Sequence, residues 1–344
     1  MSKKIILYTP WMDQGLSYDA KCIYDLAKER GLDIYISYRT KRKIVWDCKF
    51  IPVKNIASEI SSNDILFCFE VFPENKIVDI SKITSNTYLM INYEYYKPDK
   101  FKLYNLFKII YVKSKTAYTG CINDGLKNIM YLQWILSDFS ISDVRPINQN
   151  EKVKVLFNGG TGGYLDRRNL ESVTALIKNY KQDDVIFTVK LNSKMRRWTK
   201  RIFKKNCELL SNDDRVEIIL DTFNRSQYKK FIKSYDINLA PSKFEGYGLT
   251  LLESLYCRVP TITINASPMN EIIKHEQNGL CMPCLTVDQL NNQPIYQVEE
   301  KIFLENFTLL VKNKKLLNQF KQNCSIHLNS LINNFKSNIN NILA

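Results

Sequence analysis

Short apolar runs alternating with helix-period segments dominate the chain. "KKIILYTP" near the start is apolar through its centre, which predicts a strand buried on both faces. Ala20, Ile23, Tyr24 and Ala27 then recur at helical spacing and predict a helix from about Ser17 to Arg30, stopped by Gly31. The alternation continues through "LDIYISY", "DILFCFE" (64–70), "NTYLMIN" (86–92) and "KIIYV" (108–112). A polar break, "SDVRPINQNEK" (142–152), precedes a second series of the same kind. Its strands are read at Val153–Asn158, Asp184–Leu191, Val216–Leu220, Ile237–Ala240 and Thr261–Ile264, with helices around 169–179, 194–209, 225–234, 248–257 and 297–312. Strands without an exposed face, each followed by a helix, build parallel sheets covered on both sides. The pattern therefore predicts an α/β protein of two tandem, Rossmann-like doubly wound domains, 1–147 and 148–315. A helical tail, 316–344, has no strand partner.

Composition narrows the classes. With 344 residues, 45% of them hydrophobic, the chain can build two packed cores, and disorder is excluded for most of it. The nine cysteines are odd in number and mostly set in apolar runs, so they do not read as a disulfide framework. One C-x-x-C, Cys281 and Cys284, has neither a second pair nor a nearby His set, and reads as a plain strand end. No run approaches the ~20 apolar residues of a membrane span, and the basic start lacks the apolar region of a signal peptide, so the expected location is cytoplasmic. The net charge of +14 asks for an anionic partner without choosing one.

After the first strand comes "WMDQGLSYDAK", whose single glycine argues against a dinucleotide fingerprint. The second series opens differently, with strand, "NGGTGGYLDRRN", helix. Glycines such as Gly160, with Thr161, let backbone N–H groups approach an anion, and Arg167 and Arg168 sit at a helix start where the macrodipole disfavours cations. Two arginines placed against the dipole fit an expected phosphate; the alternative is a glycine-rich turn with solvated arginines. Strand "INLA" leads into "PSKFEGYGLTLLESLYCRVP", where Glu245 precedes a helix, Gly246, Tyr247, Gly248 and Leu249 open it, and Glu253 lies one turn inside. In a parallel sheet both loops leave the same edge, so arginines, helix N-terminus and two carboxylates converge as a sugar nucleotide requires. Lys190 ends the next strand and either adds a cation or is a solvated strand end.

The run Ala240–Pro283 resembles the donor-binding region of retaining glycosyltransferases of family 4, with Pro241, Ser242, Glu245, Gly246, Gly248, Leu249, Glu253, Pro260, Glu271, Asn278, Gly279 and Leu280 in register. "NGG…DRRN" looks like the phosphate loop of that family. The resemblance implies the GT-B fold, two Rossmann-like domains facing across a cleft, and a retaining transfer from a nucleotide-diphosphate sugar to a glycan, lipid or protein-linked acceptor. UDP is the favoured carrier and GDP stays open; no metal and no cofactor beyond the co-substrate are expected. Glu245 would contact the transferred sugar, Glu253 the ribose, and Arg168 with Arg167 the diphosphate. Two departures stand out. Arg258 replaces the usual glycine before Pro260, where a positive φ would strain it. No histidine exists in the first domain, where many members present one to the sugar; Glu70 ends the corresponding strand and is the substitute candidate. Asn92 and Glu94, in "NYEYYKP", are candidates for the acceptor side, and Trp134 and Asp138 for the rim.

Two other classes remain. "KMRRWTKRIFKK" (194–205) interleaves seven basic residues with Trp198 and Phe203, the composition of a helix that binds RNA or an acidic membrane surface, or of an ordinary solvated helix face. Of the two polyanions, peripheral membrane contact is preferred to nucleic acid. A GT-B relative that epimerises UDP-sugars without transfer is the third reading.

Overall fold

The structure is a computed structural model and describes residues 3–12, 14–38, 45–160, 166–192, 197–290 and 292–344. It contains two compact units, Met1–Asp138 with Leu331–Ala344, and Phe139–Ser330. The first unit ends at Asp138 rather than at 147, because Phe139 already packs on Tyr256 (ring centroids 5.7 Å apart) and the Ser142 N–H donates to the Tyr256 carbonyl at 2.9 Å.

In the first unit, β1 (Lys4–Tyr8), β2 (Asp33–Ser37), β3 (Lys49–Phe50), β4 (Ile65–Phe69), β5 (Thr87–Ile91), β6 (Ile109–Val112) and β7 (Ile129–Tyr131) pair in the order β3-β2-β1-β4-β5-β6-β7. Every pairing is parallel. The connecting helices are α1 (Gly15–Glu29), α2 (Ile56–Glu59), α3 (Glu74–Ile83), α4 (Phe101–Tyr104) and α5 (Lys115–Asn123). All residues of β4 and β5 are buried, as their unbroken apolar runs require, and Ile6, Leu66, Leu89, Ile110 and Val112 join one core cluster. Burying such a side chain contributes about 1.5–3 kcal/mol. Helix α1 starts at Gly15, two residues before the sequence expectation. Ser17 holds that first turn, its hydroxyl donating to the Pro10 carbonyl at 2.7 Å and accepting from the Met12 N–H at 3.2 Å.

The second unit orders β8 (Val153–Gly160), β9 (Val185–Leu191), β10 (Val216–Leu220), β11 (Ile237–Ala240), β12 (Thr261–Ile264) and β13 (Gly279–Met282) as β10-β9-β8-β11-β12-β13. Around them lie α6 (Leu170–Asn179), α7 (Arg197–Leu210), α8 (Arg225–Lys233), α9 (Leu249–Tyr256), α10 (Met269–Ile272) and α11 (Glu300–Lys312). An antiparallel hairpin, β14 (Leu285–Leu290) and β15 (Gln293–Gln297), stands outside the six-stranded sheet. The last helix, α12 (Lys314–Leu343), belongs to the second unit up to Ser330; from Leu331 its residues pack in the first, with Phe335 edge-on to Trp134 at 4.9 Å.

In each sheet the winding direction reverses once, between β1 and β4 and between β8 and β11. Chains leaving such neighbours diverge to opposite faces and open a crevice at the carboxyl edge, where doubly wound proteins bind ligands.

Candidate functional site

The β8–α6 and β11–α9 turns meet at the second unit's crevice. Asp166 and Asn169 both have left-handed backbone (φ 51 and 62), which folds the arginine turn back on itself. The buried Asp166 carboxylate accepts from the N–H groups of Leu170 (3.1 Å) and Glu171 (3.3 Å), closing the start of α6. Burial pushes Asp166 up to about 6 despite these two bonds. Asn169 caps α6 through the Ser172 N–H and donates its amide to the Pro241 carbonyl at 3.2 Å; the Lys243 N–H donates to the Arg167 carbonyl at 2.8 Å. The arginine turn is thereby fastened to the loop that carries Glu245.

Glu245 is 4% exposed and receives both arginines. Arg168 donates to its Oε1, and Arg167 Nη2 lies 3.8 Å from its Oε2. Burial would raise this carboxyl, but Arg168 and Arg167, with a bond from Ser242, hold it below the usual carboxylate range. Arg168 also reaches the Thr250 hydroxyl at 3.3 Å in the first turn of α9. That helix begins at Leu249 after Gly248, whose φ of +96 only glycine adopts freely; Gly246 and Tyr247 bridge Glu245 to it.

Glu253, also buried, has a separate set of partners. Arg225 Nη1 donates to its Oε1 at 2.6 Å, and the Tyr228 hydroxyl donates to its Oε2 at 2.9 Å while accepting from the Asn158 amide at the end of β8. Burial raises the Glu253 carboxyl above its ordinary value, and Arg225 is the main opposing influence. The Arg225 guanidinium lies 4.6 Å over the Phe139 ring and 5.9 Å from that of Tyr228. Sequence reading missed Arg225, Tyr228 and Asn158. The signal available was "FNRSQY", where Asn224 and Gln227 form a capping box that places Arg225 in the first turn of α8.

Lys190 is paired in register with Asn158, yet its ammonium is buried, donates to the Asp221 carbonyl at 3.1 Å and lies 5.3 Å over the Phe223 ring. It is therefore not a solvated strand end, and burial lowers its pKa against the pull of Asp221. Gly160 ends β8 with φ +53; Thr161 lies outside the described residues.

The first unit has its own strand-edge cluster. Glu70 follows β4 in left-handed backbone (φ 61) and accepts from the Asn92 amide at 2.6 Å. Burial raises its carboxyl, while Asn92 and then Lys113 act against this. Lys113, after β6, is paired at 2.8 Å with Asp19 of α1, both fully buried. Glu94 sits in a short 3-10 turn after β5 and adds negative charge near Glu70. The structure thus joins Glu70 to Asn92, and Arg167 and Arg168 to Glu245, and holds Glu253 with partners of its own.

The structure bears on three other expectations. Trp134 is a core residue, fully buried, with its indole N–H donating to the Asp19 carbonyl at 2.9 Å, so it cannot serve as a rim residue. Arg258 does take the left-handed conformation, at φ 55, held there by its Nε–H donating to the Ser142 carbonyl at 2.7 Å. In the basic segment, Lys194–Arg196 lie outside the described residues; Lys200, Arg201, Lys204 and Lys205 are exposed while Phe203 is buried in the core, the arrangement of an amphipathic helix. Cys281 is buried on β13, and no group of metal-ligating side chains forms among the described residues. No helix among them is long and apolar enough to cross a membrane.

Comparisons with known proteins agree with this architecture. Residues 198–323 match the family model described as "Glycosyl transferases group 1", which is less than half of the chain. A 63-residue stretch is 35% identical to an uncharacterized glycosyltransferase of Methanocaldococcus jannaschii, spanning 18% of this chain and 16% of that relative. Among solved structures, Anabaena HepE in complex with UDP and glucose superposes with a TM-score of 0.71 at 11% identity, over 99% of each chain. Sucrose-phosphate synthase of Thermosynechococcus elongatus gives 0.70 at 11%, over 98% of this chain and 96% of that one. A lipopolysaccharide outer core galactosyltransferase, WaaB, gives 0.67 at 13%, over 96% and 99%. The chain has the GT-B fold of two Rossmann-like domains, and its second unit carries the region that matches the group 1 glycosyl transferases.

Proposed function

We propose that the protein is a retaining glycosyltransferase that moves a sugar from a nucleotide-diphosphate sugar, UDP-linked by preference, to a glycan or glycolipid acceptor. The observation that carries the reading is the meeting of Arg167, Arg168 and Glu245 beside the N-terminus of α9, at the winding reversal of the second sheet. A diphosphate brings more negative charge than one carboxylate, so both arginines turn from Glu245 to the leaving group, and the helix N-terminus adds to the stabilisation. Glu245, released from its ion pairs, orients the sugar ring and supports the positive charge that grows on it. The bond from the anomeric carbon to the β-phosphate oxygen breaks as the acceptor oxygen bonds on the same face, and the acceptor proton passes to the departing phosphate. Glu253 accepts from the ribose hydroxyls. Glu70 is assigned to the reacting sugar, and Asn92 and Glu94 to the acceptor. UDP as carrier is supported by the UDP complex of the structural neighbour HepE. The protein is assigned to the cytoplasm, with the exposed lysines of α7 available for an acidic membrane surface.

The test is thermal unfolding with UDP, GDP and their sugars at millimolar concentration. Binding to the folded state raises the melting temperature with the logarithm of ligand over Kd. A rise with one nucleotide series, lost in Arg168→Met, supports the reading; no rise with any of them overturns it. Release of UDP that depends on added acceptor separates transfer from epimerisation.

A further inference from the structure

Glu253 stands out in the second unit because its charge is controlled by residues that neither the resemblance nor the strand-edge argument supplies. It lies on α9, is 5% exposed, and each carboxylate oxygen accepts one hydrogen bond from α8: Oε1 from Arg225 at 2.6 Å and Oε2 from Tyr228 at 2.9 Å. A carboxylate offers about four lone-pair sites. With one site per oxygen filled from the same helix, one per oxygen stays open on a carboxylate whose plane is fixed. That geometry suits two adjacent hydroxyls, which need two acceptors side by side.

The partners are themselves held. Arg225 sits in the first turn of α8, behind the Asn224–Gln227 capping box, with its guanidinium 4.6 Å over Phe139. Tyr228 is fixed by the Asn158 amide from β8. A side chain restrained in this way loses little further entropy when it holds a neighbour.

We infer that Arg225 and Tyr228 are positioning residues: they keep Glu253 ionised and aimed, so that a vicinal diol of the donor's ribose meets a preformed carboxylate. This rests on the donor-site reading above. Burial alone drives Glu253 toward the protonated form, whose O–H occupies a site the diol needs. The charged and titratable groups facing Glu253 are Arg225 and Tyr228 on α8, Arg168 from the turn before α6, and Cys257 at the end of α9 itself. Glu271 on the neighbouring α10 is bonded to Ser267, and β11 carries no titratable side chain. Arg225 is the largest of the influences that favour the charged form.

The experiment measures UDP affinity by calorimetry for wild type, Arg225→Met, Arg225→Lys and Tyr228→Phe between about pH 6 and 8.5, alongside a carbon-13 NMR titration of Glu253 in the ligand-free chain, assigned with Glu253→Gln. Arg225→Met is expected to weaken UDP about tenfold at neutral pH and to recover affinity as pH rises, because its Glu253 must first lose a proton. Its Glu253 resonance titrates at higher pH than in wild type. Arg225→Lys restores the flat pH profile in part, and Tyr228→Phe weakens UDP with a shallower slope than Arg225→Met, because it removes the smaller of the two influences that favour the charged form. A passive structural role would lower stability and leave both the pH profile and the Glu253 titration unmoved, which overturns the inference. If Arg225→Met fails to fold by circular dichroism, Arg225→Lys carries the same test through its own titration. If wild type does not bind UDP, the donor reading fails, and the Glu253 titration still decides whether Arg225 sets its charge.

Discussion

Replacing Glu245 by Gln removes one charge from a nearly closed triad and leaves its shape. The side chain is 4% exposed, against 24% for Arg167 and 17% for Arg168, so two guanidinium groups lose a counter-charge that bulk water replaces only in part. Gln still accepts from Arg168, so the cost is the ionic share of the interaction and not an empty site. Truncating one partner of a fully buried pair costs about 3–5 kcal/mol; with the arginines partly wet and the bond retained, about 1–3 kcal/mol is expected. For a unit of this size each kcal/mol moves the melting temperature by about 2–4 °C, giving a drop of roughly 2–12 °C.

The same change predicts an opposite sign for ligand. Glu245 is an internal competitor for the arginines, so Glu245→Gln should bind UDP up to about tenfold more tightly, a gain of about 1.4 kcal/mol. Turnover should nevertheless fall by at least about 100-fold, because the sugar loses the group that orients it. The pH dependence adds a third readout. A carboxyl held low in the fold contributes stability that is fully present above its unfolded value of about 4.3 and is lost as pH falls through the folded value. The wild-type advantage over Glu245→Gln should therefore shrink in acid below about pH 4. Differential scanning calorimetry, UDP calorimetry and donor turnover check the three parts. Equal melting temperatures with equal UDP affinity would refute the pairing, and undiminished turnover would remove Glu245 from the reaction.

Other substitutions test the surroundings. Gly248→Ala places a Cβ 2.9 Å from Leu251 Cδ1 at φ +96, and should cost about 1–2 kcal/mol or more while weakening UDP; an unchanged melting curve would contradict the turn geometry. For Glu70, burial raises the folded pKa, so its contribution is fully present below the unfolded value of about 4.3 and is lost as pH rises through the folded value. Glu70→Gln should thus gain stability relative to wild type on going from about pH 4 to pH 8, and a gap that is constant with pH would refute this. Arg258→Gly relieves a left-handed strain of about 1–2 kcal/mol but loses the bond to Ser142 and loosens the unfolded chain, so the net should lie near zero. A loss above about 3 kcal/mol would mean that the Arg258–Ser142 bond outweighs the strain. Added EDTA should leave donor turnover unchanged if the arginines and α9 carry the leaving charge; a large loss restored by a divalent cation would assign that work to a metal.

The parts of this fold that were legible in the sequence share one physical property, a local signal strong enough to stand alone. Buried strands such as Ile65–Phe69 and Ile237–Ala240 show apolar runs with no exposed face, and their parallel order follows from the helices between them. The hairpin Leu285–Gln297 was missed because its first strand is largely exposed, so Leu285 and Val287 mark no core, and its one advertisement in the sequence is the alternation on either side of an Asn-Asn pair. Sites divide in the same way. Arg168 and Glu245 could be paired on paper, since each follows a strand and neighbouring parallel strands deliver their loops to one edge. Glu253 could not be given its partners, because Arg225 and Tyr228 reach it from a helix whose position depends on how α8 and α9 pack side by side. Backbone topology marks the residues it delivers to a strand edge, and side-chain reach across a helix pair is its blind spot. For this chain that blind spot covers the control of charge on one of the two carboxylates, so chain-specific tuning is to be sought on α8 before the loops themselves.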